Sequence, residues 1–246
     1  MSGYGEFAYY YDELMADAEY EARVAYLKDI FKKYDRTPTL LLDLACGTGN
    51  IGGRMLEAGI DTIGVDCSED MLSVAREKYP QMLLLCQDAA ELELYGTVDG
   101  AVCCLDSLNH ITDCDRFSKA LARTALFLEP GRLFVFDMNT PFKHSEILGN
   151  GTIIKEYEDM FCVWQNSTEG NITDIRLDIF SLNEDGSWDR ATESIRERAY
   201  SREEVSAALK NAGLELVAVL DDMSFAEPAE DSQRIVYVTR RTEQNG

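Results

Sequence analysis

The stretch Asp43-Leu44-Ala45-Cys46-Gly47-Thr48-Gly49-Asn50-Ile51-Gly52 joins an apolar run to a glycine turn that matches G-x-G-x-x-G. Glycine lacks Cβ, so the backbone can adopt positive φ and approach a ligand closely. A phosphate-gripping loop is excluded because no Lys-Ser/Thr pair follows the turn. Two kinds of adenosine ligand remain, a dinucleotide and a sulfonium-bearing adenosine.

Of the neighbouring acids, Asp43 discriminates between them. In a dinucleotide site the strand ahead of the turn is usually apolar, because a carboxylate there would repel a pyrophosphate held at the helix N-terminus. Asp43 occupies that position. The ammonium and sulfonium of S-adenosylmethionine tolerate such a carboxylate. Asp66, in Val65-Asp66-Cys67, ends the second apolar run and can accept from both ribose hydroxyls, as acids do at NAD sites too. Asp88 ends the third run and can accept from an adenine amino group while Ala89 offers a backbone N–H. Three acids at successive strand ends fall on the edge where open parallel sheets bind ligands.

A transferable methyl on sulfur needs no nucleophilic residue, only an acceptor held in line and shielded from water. An amine acceptor must also lose a proton. His110, past the fourth apolar run, and Asp137, past the fifth, are the candidate groups for that step, with Asp106, Asn109 and Asn139 as further polar candidates. The other histidine, His144, is expected in a surface loop. With two histidines in all, no metal site is expected.

The elements that must position these residues follow from periodicity. Tyr4, Phe7, Ala8, Tyr11 and Met15 recur at helical spacing, as do Tyr20, Val24, Leu27, Phe31 and Tyr34, so two helices precede the first strand. From Thr39, apolar strands alternate with amphipathic helices: strands over 39–45, 60–65, 82–86, 98–105 and 131–137, with helices over 51–58, 69–78 and 116–128 between them. Continuous apolar strands separated by helices imply a parallel sheet covered on both faces. Between about 151 and 199 the rhythm changes: Ile175, Leu177 and Ile179 alternate with polar residues, and Asn183 to Gly186 supplies a turn. That segment is expected to be an inserted antiparallel sheet, covering an acceptor pocket or making a homodimer contact. Ser201 and Glu204 form a capping box for a last helix, followed by an antiparallel pair over 214–220 and 234–240. The fold class is α/β, a doubly wound, mostly parallel seven-stranded sheet. Its cofactor domain spans 1–150 and 200–246, with 151–199 as the insertion.

Composition bounds the partners. Among 246 residues, 23 Lys and Arg face 45 Asp and Glu, a net charge of −22 that disfavours nucleic acid as a substrate. No basic leader and no apolar run of ~20 residues is present, so neither secretion nor membrane insertion is expected. Seven cysteines without a C-x-x-C pair read as reduced thiols, and a cytoplasmic location is expected.

Taken in order, L-D-L-A-C-G-T-G-N, G-V-D-C-S-E-D-M-L, Q-D-A-A-E-L and V-D-G-A-V-C-C-L-D-S-L-N-H-I resemble the successive motifs of class I S-adenosylmethionine-dependent methyltransferases. The resemblance covers residues 1 to 140 strongly and the rest by layout. The leading F-A-Y-Y-Y-D-E-L-M and the D-S-L-N-H segment are similar to the branch of glycine and sugar N-methyltransferases and uncharacterised small bacterial relatives. In that branch a tyrosine matching Tyr11 reaches the methionyl carboxylate from the N-terminal helix. The resemblance implies a cofactor site of Tyr11, Asp43, Ala45, Gly47, Gly49, Asp66, Cys67, Met71, Asp88, Ala89 and Leu105. It also implies methylation of nitrogen or oxygen on a small-molecule acceptor. The rival readings are a non-catalytic S-adenosylmethionine-binding module acting through a partner, and an NAD-linked oxidoreductase.

Overall fold

The computed structural model describes residues 7–243, so the Tyr4 start of the first helical pattern lies outside the described residues, as do the side chains of Phe7 and Tyr9. Helices α1 (Phe7–Leu14) and α2 (Tyr20–Tyr34) precede strand β1 (Leu40–Leu44). There follow α3 (Asn50–Glu57), β2 (Asp61–Asp66), α4 (Glu69–Lys78), β3 (Leu83–Cys86), β4 (Gly100–Cys103), α5 (Cys114–Phe127) and β5 (Leu133–Asn139). Then come β6 (Thr152–Glu156), β7 (Met160–Glu169), β8 (Ile172–Leu182), β9 (Trp188–Arg198), α6 (Arg202–Asn211), β10 (Leu214–Asp221) and β11 (Arg234–Arg241).

Seven strands form one sheet in the order β10-β11-β5-β4-β1-β2-β3. The five strands from β5 to β3 are parallel, and β11 runs antiparallel to both β5 and β10. All residues of β4 and β5 are buried, as expected for strands covered on both faces. Phe117 and Leu121 of α5 pack with Val205 and Leu209 of α6 on one face. Leu27, Ile30 and Phe31 of α2 pack with Ile51 and Met55 of α3 on the other.

The chain marks its helix starts. The Ser68 hydroxyl accepts from Met71 N at 3.2 Å, Asp113 accepts from Asp115 N and Arg116 N at 2.9 Å each, and Ser201 and Glu204 form the reciprocal capping box. Each cap contributes about 1 kcal/mol. No helix among the described residues is long and apolar enough to cross a membrane.

A second, antiparallel sheet of β6-β7-β8-β9 lies between β5 and α6 in the chain. Its inner residues Met160, Cys162, Ile175, Leu177 and Ile179 pack on Ala8 and Leu14 of α1 and Met71 of α4. Its outer face is mixed, with Arg196 and Asp174 paired at 2.6 Å and Phe161, Phe180 and Trp188 grouped on the same face. The alternation in β8 puts Ile175, Leu177 and Ile179 on the face that packs against α1 and α4. The strands β6 and β7 and a π-helical turn at Lys143–Leu148 are additions to the sequence reading.

Candidate active site

A cavity of about 580 Å³ opens at the carboxyl ends of β1 to β4, within the range of about 300–1,000 Å³ usual for small-molecule pockets. Ala45, Gly47 and Asp66 line one side, α1 contributes Tyr11 and Leu14, and the second sheet contributes Trp164, Ile175, Leu177, Ile195 and Glu197.

The cofactor end is built by backbone turns. Ala45 and Leu105, just past β1 and β4, have φ values of 57° and 58°, a costly conformation for residues with Cβ and a mark of functional sites. Gly47 follows at φ 52°, and a Cβ there would meet nothing within 4 Å, which leaves open space against the turn. Asp66 fixes that turn: its Oδ2 accepts from Gly47 N at 2.8 Å and its Oδ1 from Ser68 N at 2.9 Å. Each oxygen keeps a further lone pair for a ligand hydroxyl. Burial raises the Asp66 pKa. Cys67, Met71, Asp88 and Ala89 line the same end, and Asp88 holds Ala90 N at 2.8 Å and Arg116 at 2.6 Å.

Gly49 and Asp43 stand behind this surface. Gly49, at φ 78°, caps α3. Asp43, 2% exposed, accepts from Gly52 N at 2.8 Å, and burial pushes its pKa up to about 7. A Cβ on Gly52 would lie 2.8 Å from Asp43 Oδ2, so the third glycine lets helix and strand approach. Asp43 borders a smaller side pocket with Tyr11, Ala45 and Gly47, and not the main cavity. Tyr11 reaches both pockets, its phenol pKa raised first by burial and then by Tyr20 and nearby acids.

Helix α1 is fastened over this end by Asp12. Its carboxylate accepts from Thr48 Oγ1 at 2.6 Å, Asn50 Nδ2 at 2.7 Å and Lys78 Nζ at 2.5 Å. Nothing in the sequence pattern singles out Asp12, because the contact joins residues 36 to 66 positions apart.

The opposite end is a cluster of charges. Arg234, at the start of β11, bonds Asp106 Oδ1 at 2.6 Å and Asp137 Oδ1 at 2.7 Å. Burial opposes ionisation of Asp106, yet Arg234, Lys143 and His110 outweigh it and hold its pKa down to about 2. Asn139 donates through Nδ2 to Asp106 Oδ2 at 2.6 Å and to Glu197 Oε2 at 3.3 Å, and accepts Lys143 Nζ on Oδ1 at 2.9 Å. Burial, and then the Asp106 charge, pushes Glu197 up to about 8. Burial lowers the Lys143 pKa, and also lowers that of His110, whose side chain is 39% exposed because it faces the hollow of the cavity.

Two sequence expectations are corrected here. Asp137 is 3% exposed and absent from the cavity wall; its oxygens accept from Leu105 N at 2.9 Å and Asp106 N at 2.7 Å. It shapes the left-handed Leu105-Asp106 turn and has no surface to offer an acceptor. His144 is 2% exposed and not a surface residue, because the π-helical turn directs it against Thr173 of β8. His110 does line the cavity, with Nε2 3.9 Å from Glu197 Oε1. Asn109 lies behind it, tying Asn139 and the Arg198 carbonyl together. Asp106, His110 and Glu197 bring ligand atoms within 4.8 Å of one another. A metal ion there would have to displace Arg234 from Asp106 and lie beside Lys143, so this donor set suits protons better than a metal ion.

Sequence reasoning missed Lys143, Arg234 and Glu197. A faint signal existed for Glu197: in β9, Glu193 and Glu197 alternate in step with Ile195, and both are buried. A carboxylate on the apolar parity of a strand is costly unless it has a task.

A glycine turn cradling open space, acids at the ends of three successive strands, and the strand order with an antiparallel β11 define an S-adenosylmethionine-dependent methyltransferase. A methyltransferase-domain profile matches residues 41–131, and the chain belongs to that family. YqeM of Bacillus subtilis (strain 168), a methyltransferase in name with no substrate stated, is 31% identical over 244 residues, 97% of each chain. A crystal structure of an S-adenosylmethionine-dependent methyltransferase from Clostridium acetobutylicum ATCC 824 is 30% identical, covers 98% of this chain and 99% of that one, and superposes with a TM-score of 0.90. A dTDP-3-amino-3,6-dideoxy-alpha-D-glucopyranose N,N-dimethyltransferase of Streptomyces fradiae is 27% identical over 218 residues, 85% of this chain and 84% of that protein.

Proposed function

We propose that the protein methylates the nitrogen of a small amine, with S-adenosylmethionine as the donor. The cofactor supplies an electrophilic methyl on a sulfonium. Asp66 takes the ribose hydroxyls, Asp88 and the Ala89 N–H take the adenine edge, the Gly47 turn lets the backbone approach, and Tyr11 reaches the methionyl carboxylate from α1. Cys67, Met71 and Leu105 pack around it, and Asp43 braces the turn from behind through Gly52 N. The second sheet, as a unit over 151–199, closes the acceptor side and keeps water out.

The observation that carries this reading is the cavity itself. One hollow joins the strand-end acids to a group of His110, Lys143 and Glu197, whose pKa values are displaced toward the neutral forms. Burial that disfavours charge on these groups also suits an amine that must be uncharged to attack. Arg234 and Arg116 on the wall are already paired with Asp106 and Asp88, which leaves them poorly placed to hold a polyanion. The amino-sugar relative supports nitrogen over oxygen.

The test is incubation of the purified protein with isotopically labelled S-adenosylmethionine and a panel of primary amines that includes amino sugars, read by mass spectrometry. Transfer of label to nitrogen of at least one amine is expected. Transfer confined to hydroxyl compounds, or cofactor binding with no transfer to any acceptor, would replace this reading with O-methylation or with a binding module.

A further inference from the structure

Glu197 is carried into the cavity by the second sheet, and its two oxygens differ. Oε2 is held by Asn139 Nδ2 at 3.3 Å, and that amide is oriented by Lys143 on its other atom. Oε1 accepts no hydrogen bond among the described residues and stands 3.9 Å from His110 Nε2.

Behind Oε2 lies His144 Nε2, at 3.5 Å, a buried polar atom without a hydrogen-bond partner among the described residues. Counting donors assigns its tautomer. The Thr168 hydroxyl hydrogen goes to a carbonyl, Gly149 O at 2.9 Å. The Thr168 and Thr173 oxygens are 3.0 Å apart, so the hydrogen between them comes from Thr173. Thr173 Oγ1 is then the acceptor for His144, 2.8 Å away, and Nδ1 carries the proton. Nε2 is left as a bare lone pair facing a carboxylate oxygen. Two acceptors face each other in a buried site, and only an added proton reconciles them. The other charges facing Glu197 are Asp106, Lys143 and Arg234, with the acid and the cations already paired or hydrogen-bonded.

We propose that Glu197, backed by His144, takes the proton of the acceptor ammonium, an inference that rests on the amine reading above. The ammonium N–H bond breaks and an O–H bond forms on Glu197, which enters the step as the ionised carboxylate, with the proton settling on the Oε2 side toward His144 Nε2. The freed nitrogen lone pair forms the N–C bond as the S–C bond breaks and its electron pair stays on sulfur. Glu197 is thus a catalytic residue, and His144 is a positioning residue that stabilises the protonated carboxyl.

The test compares pH–rate profiles of wild type, Glu197→Gln and His144→Gln, with the primary amine that the panel shows to be methylated. Near neutral pH, Glu197→Gln should lose about 100-fold or more in kcat/KM. The deficit should shrink as the pH rises and the amine loses its own proton. A deficit equal at every pH, or none, overturns the proposal by reducing Glu197 to a packing role or to nothing. So does a rate abolished by EDTA and restored by a divalent metal, which would make the cluster a metal site. A second measurement needs no acceptor: carboxyl NMR of glutamate-labelled protein bound to S-adenosylhomocysteine. One glutamate should titrate above pH 7, and its signal should vanish in Glu197→Gln or, if that variant does not fold, move in His144→Gln. Absence of such a glutamate overturns the proposal. Failure of the whole amine panel, with this signal present, counts against the amine reading alone.

Discussion

The two ends of the cavity solve opposite problems. The end proposed for the cofactor is built mainly from backbone turns at Ala45 to Gly49 and Leu105 and from Asp66, whose partners are neighbouring N–H groups. The acceptor end holds Asp106, Glu197, Lys143 and Arg234 together at low exposure, drawn from four separate stretches of chain. The first arrangement is nearly complete within residues 43–89, whereas the second exists only once β9 and β11 have docked. Local geometry thus builds the binding half, and long-range electrostatics builds the half that meets the acceptor.

The largest effect that would break this contrast is on stability. Arg234→Met removes the cation that Asp106 and Asp137 share, leaving Asp137 only Arg23 at 3.8 Å, and is expected to cost about 3–5 kcal/mol, measured by denaturant unfolding. Because Asp106 has its pKa held down to about 2, its share of stability is present above its ordinary value of 3.8 and is lost as the pH falls through about 2. Unfolding curves of the two proteins should therefore converge in acid. A variant as stable as wild type at pH 7 would show that the cluster does not depend on its shared cation.

Next in size, Asp66→Ala should weaken S-adenosylmethionine binding by roughly 1–3 kcal/mol in calorimetry while leaving the fold intact, since the lost bonds are to ligand hydroxyls and two turn amides. Asp12→Ala removes three hydrogen-bond partners that fasten α1. About 1 kcal/mol of cofactor affinity is expected to go with it, together with faster cofactor release in stopped-flow. Unchanged release would make α1 a fixed wall. Smallest of all, Arg116→Gln breaks a pair whose side chains are 53% and 40% exposed, and should change the unfolding free energy by less than about 1 kcal/mol. Comparison with Arg234→Met separates buried from exposed pairing in one molecule.

The same division decides what was legible in the sequence. The parallel sheet, the glycine turn and the acids at 43, 66 and 88 are local patterns, in which strand period and helix caps act on neighbours. Asp137 misled because a strand-end acid in the right place can serve either a ligand or a backbone turn, and Leu105 and Asp106, at positive φ, claimed it. His144 misled because a Thr-Pro start reads as loop, while the π-helical turn that buries it depends on packing against β8. Lys143 and Arg234 carry no local signal beyond their charge, and Glu197 carries only its place on the apolar parity of β9. Glu197 and Arg234 are brought in by tertiary contacts, with Asn139 and Asp137, that join residues 58 and 97 positions apart, and only these give Lys143, four residues from Asn139, its setting.

The most direct measurement is a calorimetric titration of S-adenosylmethionine into wild type, Asp66→Ala and Glu197→Gln under one buffer. Two separable ends predict wild-type affinity for Glu197→Gln and a loss of roughly 5- to 150-fold for Asp66→Ala. Equal loss in both variants would contradict the division, and so would undiminished binding by folded Asp66→Ala.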